Sequence, residues 1–373
     1  MIASLIFVAA LLFILYVVFG YPVFLALLSR GPGSPVHKAP LEKPVSVLMP
    51  VRNGAPWIQR KLENLLDLDY PPELLEIIVV SDGSTDGTAD IARSCAGSRI
   101  KLLELPPGGK AVALTAALAE ARGDILFFTD VRQRLEPDSL RELVSCFADP
   151  EVGVVSGELV ILEGESLEEV NVGLYWKYEK WIRKGLSHLD SIHGATGCIY
   201  AMRRELAVPL PRGTLLDDVY QPLAAFFKGY RVILDERARA YDFPTSLTSE
   251  FRRKVRTQAG MFQILRHYPA LLGPGNRMWI HFVSHKVGRL LLPWALIAVF
   301  VSAVALPSPF AILALAPQIG FYGFALADPW IPEGSLLKRV SSPVRTFTVL
   351  MAAVLCAPFL LFTPAEKVWK ETR

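Results

Sequence analysis

Cysteine is scarce and scattered in this chain. Cys95, Cys146, Cys198 and Cys356 are the four in 373 residues, and none sits in a C-x-x-C or Cys/His pattern. That excludes a structural zinc site and a disulfide framework. Charge of one sign is also scarce: the formal net charge is +3, and no basic stripe interleaved with aromatics stands out in the polar part. Nucleic acid is therefore not an expected partner. The six histidines are dispersed, and no internal repeat is present.

Long apolar runs, by contrast, are plentiful. The chain is 52% hydrophobic and 20% charged, with a positive mean hydropathy. Residues 2–28 carry no charge, and further runs cover 290–306, 309–326 and about 346–363. Each is near the roughly 20 residues that cross a ~30 Å hydrocarbon core, so about four transmembrane helices are expected. The first run lacks a basic n-region and is too long for an h-region, which makes 1–28 an N-terminal transmembrane anchor rather than a signal peptide. The polar stretch between suits one globular domain over 44–285, and 290–363 holds the C-terminal transmembrane helices.

Arg30, His37 and Lys38 follow the first run, Lys286 and Arg289 precede the second, and Lys338, Arg339 and Arg345 lie between the third and fourth. The positive-inside rule puts all three regions, and the globular domain, in the cytosol. The C-terminal "AEKVWKETR" then falls outside despite Lys367, Lys370 and Arg373. A shifted fourth span or an interfacial C-terminal segment would each remove that conflict.

The globular part alternates. Pro44 to Pro50 is a β-rich run, followed by the turn "VRNGAPW" and then "IQRKLENLLDL", apolar at helical spacing. "LEIIVVSDGSTDGTADIARSC" repeats the plan with a strand from Glu76 to Val80, and "RIKLLEL", "KAVALTAALAEA" and "DILFFTD" extend it. Such alternation predicts an α/β domain with a mostly parallel sheet covered on both faces. Ligands of such sheets bind at the carboxyl ends of strands. The turns there hold Arg52 and Asn53, Asp82, then Gly108, Gly109 and Lys110, and finally Asp130. Asp and Asn cap helices and Gly allows positive φ, which explains any one such turn without a ligand. Four on one edge, with acids and cations together, suit a nucleoside diphosphate.

"VSVLMPVRNG", "IIVVSDGSTDGT", "GGKAVALTAAL", "GDILFFTD", "GATGCIYAMRR", "LLDDVYQPLAAFFKGYRV" and "FRRKVRTQAGMFQIL" occur in one order over residues 44 to 290. In that order and spacing the chain resembles the family 2 glycosyltransferases, in particular the membrane-embedded relatives of cellulose, poly-N-acetylglucosamine and hyaluronan synthases. The resemblance implies a GT-A fold (Rossmann-like), a hexosyl- or N-acetylhexosaminyltransferase activity with inversion, a nucleotide-sugar donor that is usually UDP-linked, and Mg²⁺ or Mn²⁺. It also implies a lipid or glycan acceptor and an integral protein of the bacterial plasma membrane. Partner subunits are left open.

Residue by residue, the resemblance implies that Pro50, Arg52 and Asn53 border the nucleoside, that Asp82 meets the base and that Lys110 lies near the donor. Asp130 matches the first acid of the D-x-D element, reaching ribose and metal. Asp217 and Asp218 match the acid pair whose second member is the general base, with Asp217 as support. His193 to Gly197, with Gly194, Ala195, Thr196 and Gly197, matches the segment lining the acceptor and sugar pocket. Arg253 to Thr257 matches the Q/R-x-x-R-W element over the diphosphate, in an interfacial segment of about 245–285.

The chemistry asks for these residue types. Inverting transfer needs a base for the acceptor hydroxyl, and a carboxylate at a helix start can serve; of two adjacent acids, one can cap the helix while the other faces the acceptor. The departing diphosphate needs a divalent cation or fixed arginines. Arg253 and Arg256, spaced i,i+3, are assigned to it, whereas Arg252 and Lys254 suit a solvated or headgroup-facing surface. Tyr175, Trp176, Tyr178 and Trp181 form an aromatic stripe that reads as core or interfacial belt before sugar stacking. Two positions depart from the pattern: Arg132 where a second acid would stand, and Thr257 where a tryptophan would. They keep open a degenerate membrane scaffold or partner subunit, and Thr257, with only about four spans to build a channel, makes single transfer at least as expected as processive synthesis. A nucleotidyltransferase is disfavoured, because "MPVRNGAPW" is not a Gly-rich phosphate loop.

Overall fold

The computed structural model describes residues 1–95, 97, 99–162, 167–243 and 246–363, with backbone alone over 167–174. The segment "AEKVWKETR" lies outside the described residues.

An eight-stranded sheet carries the globular part, in the order β3-β2-β1-β4-β7-β6-β8-β5. Its first half is β1 (Val45–Val51), β2 (Leu75–Asp82), β3 (Ile100–Leu105) and β4 (Ile125–Phe128), all parallel. The second half is β5 (Arg134–Leu135), β6 (Val152–Ile161), β7 (Tyr200–Arg203) and β8 (Arg231–Asp242). There β7 runs antiparallel to β4 and β6, β8 is parallel to β6, and β5 is antiparallel to β8. The sheet is thus parallel where nucleotide-type turns gather and mixed beyond.

Strand composition explains why both faces are covered. Val47, Met49, Ile77, Val79, Ile125 and Phe127 point into one core; Leu48, Ile78, Val80, Leu126 and Phe128 point into the other. Side chains alternate across a strand, so a run apolar at every position must be covered on both sides. Helices supply that cover: α3 (Ala55–Leu66), α4 (Thr88–Ser94), α5 (Lys110–Glu120), α6 (Ser139–Ser145), α7 (Leu167–Leu189), α8 (Asp217–Phe227) and α9 (Leu247–His267). In α3, Ile58, Leu62 and Leu65 recur at helical spacing and are buried. Ser246 caps α9 by accepting from the Ser249 amide.

Among the described residues, four helices are long and apolar enough to cross a membrane. The first, Ile2–Leu28, joins α1 (Ile2–Leu15) and α2 (Tyr21–Leu28) through a π-helical turn. The second, Trp279–Val304, contains α10 (Trp279–His281) and α11 (Gly288–Val304); α12 (Phe310–Ala327) and α13 (Leu336–Leu360) form the others. Two helix starts differ from the apolar runs. The second helix begins eleven residues before Leu290, so His285, Lys286 and Arg289 are helical. The fourth begins at Leu336, which puts Lys338, Arg339 and Arg345 inside α13 rather than in a loop. The reason is Asp328: Lys338 (3.1 Å) and Arg345 (3.3 Å) pair with it, and the Ser341 hydroxyl donates to it at 2.6 Å. A paired charge can enter a helix that an unpaired one would end.

The core on one sheet face continues into these helices, since Tyr21, Leu25, Phe282, Leu290 and Val354 belong to the same cluster as Leu48 and Phe128. That continuity fixes the strand ends relative to α9 and the second helix.

Candidate active site

The turns at the carboxyl ends of the parallel strands are tied to one another by polar side chains. Asn53, at φ 52°, lies in the left-handed region that Asn tolerates. Its amide donates to the Ser84 hydroxyl (3.0 Å) and its side-chain oxygen accepts from the Thr85 amide (2.9 Å). Asp82, at the end of β2, is buried and accepts from the Gly108 amide at 2.6 Å and the Gly109 amide at 3.0 Å. Arg52 stands 3.8 Å from the same carboxylate. Gly109 itself has φ +86°, a conformation that a side chain would strain. Asp82 therefore orders the glycine loop that delivers Lys110 to the first position of α5.

Lys110 is the centre of the site. Its Nζ lies 3.0 Å from Asp130 and 3.3 Å from Asp217, which joins the first half of the sheet to the start of α8. Burial disfavours its charge, but Asp130 and Asp217 outweigh that and hold the amine protonated well above the usual lysine range. Asp217 is buried, and burial followed by the Asp130 charge raises its pKa against the pull of Lys110. Asp218 is half-buried; burial, then the neighbouring Asp217, brings its carboxyl up to about 6. A carboxylate with that pKa suits proton abstraction near neutrality. Neither acid caps the helix through its side chain, whose N-cap is Leu216. The capping role expected of one of them is instead replaced by the pairing of Asp217 with Lys110.

Residues 194–197 wrap around Asp218. The Ala195 amide donates to the Asp218 carbonyl at 2.7 Å, and a Cβ on Gly197 would stand 3.1 Å from Asp218 Oδ2. On Gly194 it would stand 2.8 Å from Val219. Thr196 is held by Arg183 (2.8 Å) and by Ser156, whose hydroxyl accepts from its amide at 2.9 Å. His193 is buried against Phe282 and Phe226 rather than facing the cleft.

On α9 the two arginines diverge. Arg256 is half-buried and faces Asp218, Asp130 and Asp217; burial lowers its pKa, and these acids oppose the fall. Arg253 pairs with Glu250 and lies over the Trp176 ring at 4.7 Å. Thr257 donates to the Arg253 carbonyl at 2.8 Å. Arg132 turns away from Asp130 to Asp242 on β8, 2.5 Å away, and Gln133 donates to the same carboxylate at 2.8 Å. Pro50 is the last residue but one of β1, partly buried, just ahead of the turn that carries Arg52 and Asn53.

Three groups near these acids stand outside the candidate set, Lys61 and Tyr200 buried and Arg183 half-buried. Arg183, inside α7, donates to Thr196 and to Ser156, and burial brings its guanidinium down to about 10 while Asp218 opposes the fall. Lys61, inside α3, donates to the Thr129 hydroxyl (2.8 Å) and the Gln133 carbonyl (2.7 Å) directly behind Asp130, and burial lowers it to about 7. Tyr200, on β7, stacks on Phe128 at 4.3 Å; burial, then the three acids, push its phenol well above the ordinary range. A buried lysine in an otherwise amphipathic α3 is the one signal that could have singled out Lys61.

No group of three His, Cys, Asp or Glu that could hold a metal is found among the described residues. Asp130, 39% exposed on its side chain, is the acid open to the cleft. A hard cation such as Mg²⁺ or Mn²⁺ commonly takes one or two carboxylates and completes its shell with phosphate oxygens and water. One exposed carboxylate, Asp130, fits that pattern.

Residues 46–208 match the family described as Glycosyl transferase family 2. The chain carries a glycosyltransferase family 2 domain. Among curated relatives, the probable glycosyltransferase YdaM of Bacillus subtilis (strain 168) is 34% identical over 125 residues, 32% of this chain and 30% of that protein. The chain thus spans under a third of YdaM. The N-acetylglucosaminyltransferase of Rhizobium meliloti (strain 1021) is 27% identical over 79% of this chain and 77% of its own. Among solved structures, the mannosyltransferase PcManGT from Pyrobaculum calidifontis, in complex with GDP-Man and Mn²⁺, aligns at 25% identity and a TM-score of 0.72. That alignment covers 96% of this chain and 99% of the other, so the family 2 domain and the apolar helices share one arrangement with it. The fold of the domain is GT-A.

Proposed function

We propose that the protein is a membrane-bound inverting glycosyltransferase that moves a sugar from a nucleotide-sugar to a lipid, lipid-linked or growing polysaccharide acceptor. The observation that carries this reading is Lys110 held between Asp130 and Asp217, with Asp218 one residue further along the same helix. That arrangement supports a donor side and an acceptor side in one cleft. The resemblance favours a UDP-linked donor, and the likeness to PcManGT adds GDP-linked sugars. Both belong in the donor panel.

In this reading the Asp218 carboxylate takes the proton of an acceptor hydroxyl. The acceptor oxygen bonds to the anomeric carbon as the bond from that carbon to the diphosphate breaks, which inverts the centre. Lys110 and Arg256 meet the charge left on the diphosphate. Asp130 is the residue that would hold the divalent cation, which would supply further positive charge to the phosphate oxygens. Asp82 and Asn53 keep the nucleoside loops in shape, and Gly194 to Gly197 leave room beside Asp218 for the sugar and acceptor. The four apolar helices among the described residues support an integral membrane location, and the positive-inside rule is what puts this cleft on the cytosolic side. The scaffold alternative loses its main support at Arg132, which Asp242 holds away from Asp130.

The test is release of nucleoside diphosphate by the full chain in native membrane lipids, with a panel of UDP- and GDP-sugars and Mn²⁺ or Mg²⁺. The expected result is metal-dependent release with one donor, and loss of about 10³-fold in Asp218→Asn with nucleotide binding kept. Wild-type turnover in Asp218→Asn would sink the base assignment. No nucleotide binding with either metal would favour the scaffold.

A further inference from the structure

Where α7, α9 and the second apolar helix meet, cations converge on one phenol. Lys254 and Arg289 both donate to the Tyr175 hydroxyl, Arg289 at 2.5 Å. Both also lie over its ring, at 4.5 and 5.2 Å. Lys286, half-buried and three residues before Arg289, is close enough to act on Tyr175, Lys254 and Asp218. Two acids are described here. Glu179 pairs with Arg289 and lies 3.3 Å from His285, and Glu250 pairs with Arg253. Neither Lys254 nor Lys286 has a carboxylate partner among the described residues.

Ammonium groups taken out of water without a counter-charge are costly. Lys254 is 9% exposed. The field this creates acts on Tyr175: burial opposes ionisation of the phenol, yet Arg289 and Lys254 outweigh it and bring it down to about 7. The junction therefore favours an anion at the place where the Tyr175 oxygen stands. Donors reach it from two helices, α9 and the second apolar helix, which suits the several oxygens of a phosphoryl group better than the two of a carboxylate.

Its position says how that anion arrives. Arg289 immediately precedes the apolar run that begins at Leu290, and Leu291 and Trp294 on the same helix are exposed. Headgroup depth is the level at which cations and aromatics meet lipid phosphates. On the other side, Arg183 on the same α7 donates to Thr196 at 2.8 Å, and the next residue, Gly197, packs against the Asp218 carboxylate, so the junction adjoins the candidate base.

We propose that Lys254, Lys286, Arg289 and Tyr175 bind a phosphoryl group carried by a membrane lipid, and that this lipid is the acceptor or its carrier. The proposal rests on the glycosyltransferase reading for the second clause; the first stands on the junction alone. Held there, the phosphate anchors the lipid while the group to be glycosylated reaches Asp218.

Calorimetry of the full chain in maltoside micelles tests it with three probes: dodecyl phosphate, dodecanol and inorganic phosphate. Dodecyl phosphate is expected to bind at least about tenfold more tightly than either other probe. Lys254→Gln and Lys286→Gln should each weaken it about tenfold, with Lys286→Arg restoring it. Metal-dependent nucleotide binding, unchanged in each variant, shows that the protein is folded. Equal binding of dodecanol would mean an apolar contact only, and equal binding of inorganic phosphate a soluble-anion site; either overturns the lipid-phosphate assignment. So would unchanged affinity in both glutamine variants. Because no turnover is read, failure here leaves the glycosyltransferase reading standing, and failure of nucleoside diphosphate release leaves the phosphate site standing.

Discussion

The strand-end side of the cleft and its membrane side handle charge in opposite ways. At the strand ends acids predominate: Asp130, Asp217 and Asp218 surround one lysine, and two carboxylates share Lys110. At the membrane junction cations predominate, and Lys254, Lys286 and Arg289 surround Tyr175, with Glu179 paired to Arg289 alone among the three. A surplus of carboxylate prepares one group to accept a proton and another to hold a cation. A surplus of ammonium and guanidinium prepares the other side for phosphate. The teaching is that a transferase of this plan separates the two jobs along one cleft, with Arg256 between them.

Breaking the acidic side should have the largest effect. Asp130→Ala is expected to remove metal-dependent nucleotide binding, by about 100-fold or more, since a metal contributes several kcal/mol to charge stabilisation; titration with Mn²⁺ and nucleotide reads this. Lys110→Met should come next. It deletes two charge-assisted contacts, and a loss of about 2 kcal/mol, roughly 30-fold in nucleotide Kd, is expected from calorimetry. Gly197→Ala is a finer probe: its new Cβ meets Asp218 Oδ2 at 3.1 Å. Displacing that carboxylate by a few tenths of an ångström should lower kcat by about tenfold with nucleotide Kd unchanged. Arg132→Ala should change nucleotide release less than about threefold, because a half-exposed ion pair to Asp242 contributes little. A larger drop would mean that Arg132 reaches the donor and that the acidic side extends further than Asp130.

The two sides were not equally legible in the sequence. Asp82, Lys110 and Asp130 stand in turns after apolar strands, where a polar residue has few other reasons to be placed, and the structure brings them to one edge. Asp217 and Asp218 stood out as adjacent acids, but the pairing of Asp217 with Lys110 links positions 107 residues apart through the sheet order, which no local pattern encodes. Arg183, Lys61 and Tyr200 lie within regular helices or strands, where a charge or phenol looks like an ordinary surface residue until burial is known. Of the junction cations, Lys286 and Arg289 look in sequence like the flank of an apolar run, and Lys254 like a solvated or headgroup-facing surface residue. Hydropathy ends a span at the first charge, whereas Glu179 and Asp328 neutralise charges inside helices and let the second and fourth begin about ten residues earlier. Arg253 and Arg256 fit one face by spacing, yet Glu250 and Trp176 hold the first away from the acids.

The central claim is that Asp218, ionised, is the base of this cleft, and the pH dependence of nucleoside diphosphate release at saturating donor and acceptor tests it most directly. Burial and Asp217 raise the Asp218 pKa to about 6, and the base works only when deprotonated. The rate should therefore be full above pH 7 and fall tenfold per unit below about pH 6. Lys110→Met, which removes a cation that favours the carboxylate, should move that limb to higher pH. A limb in the ordinary carboxylate range near pH 4, unmoved by the Lys110 variant, would contradict the account.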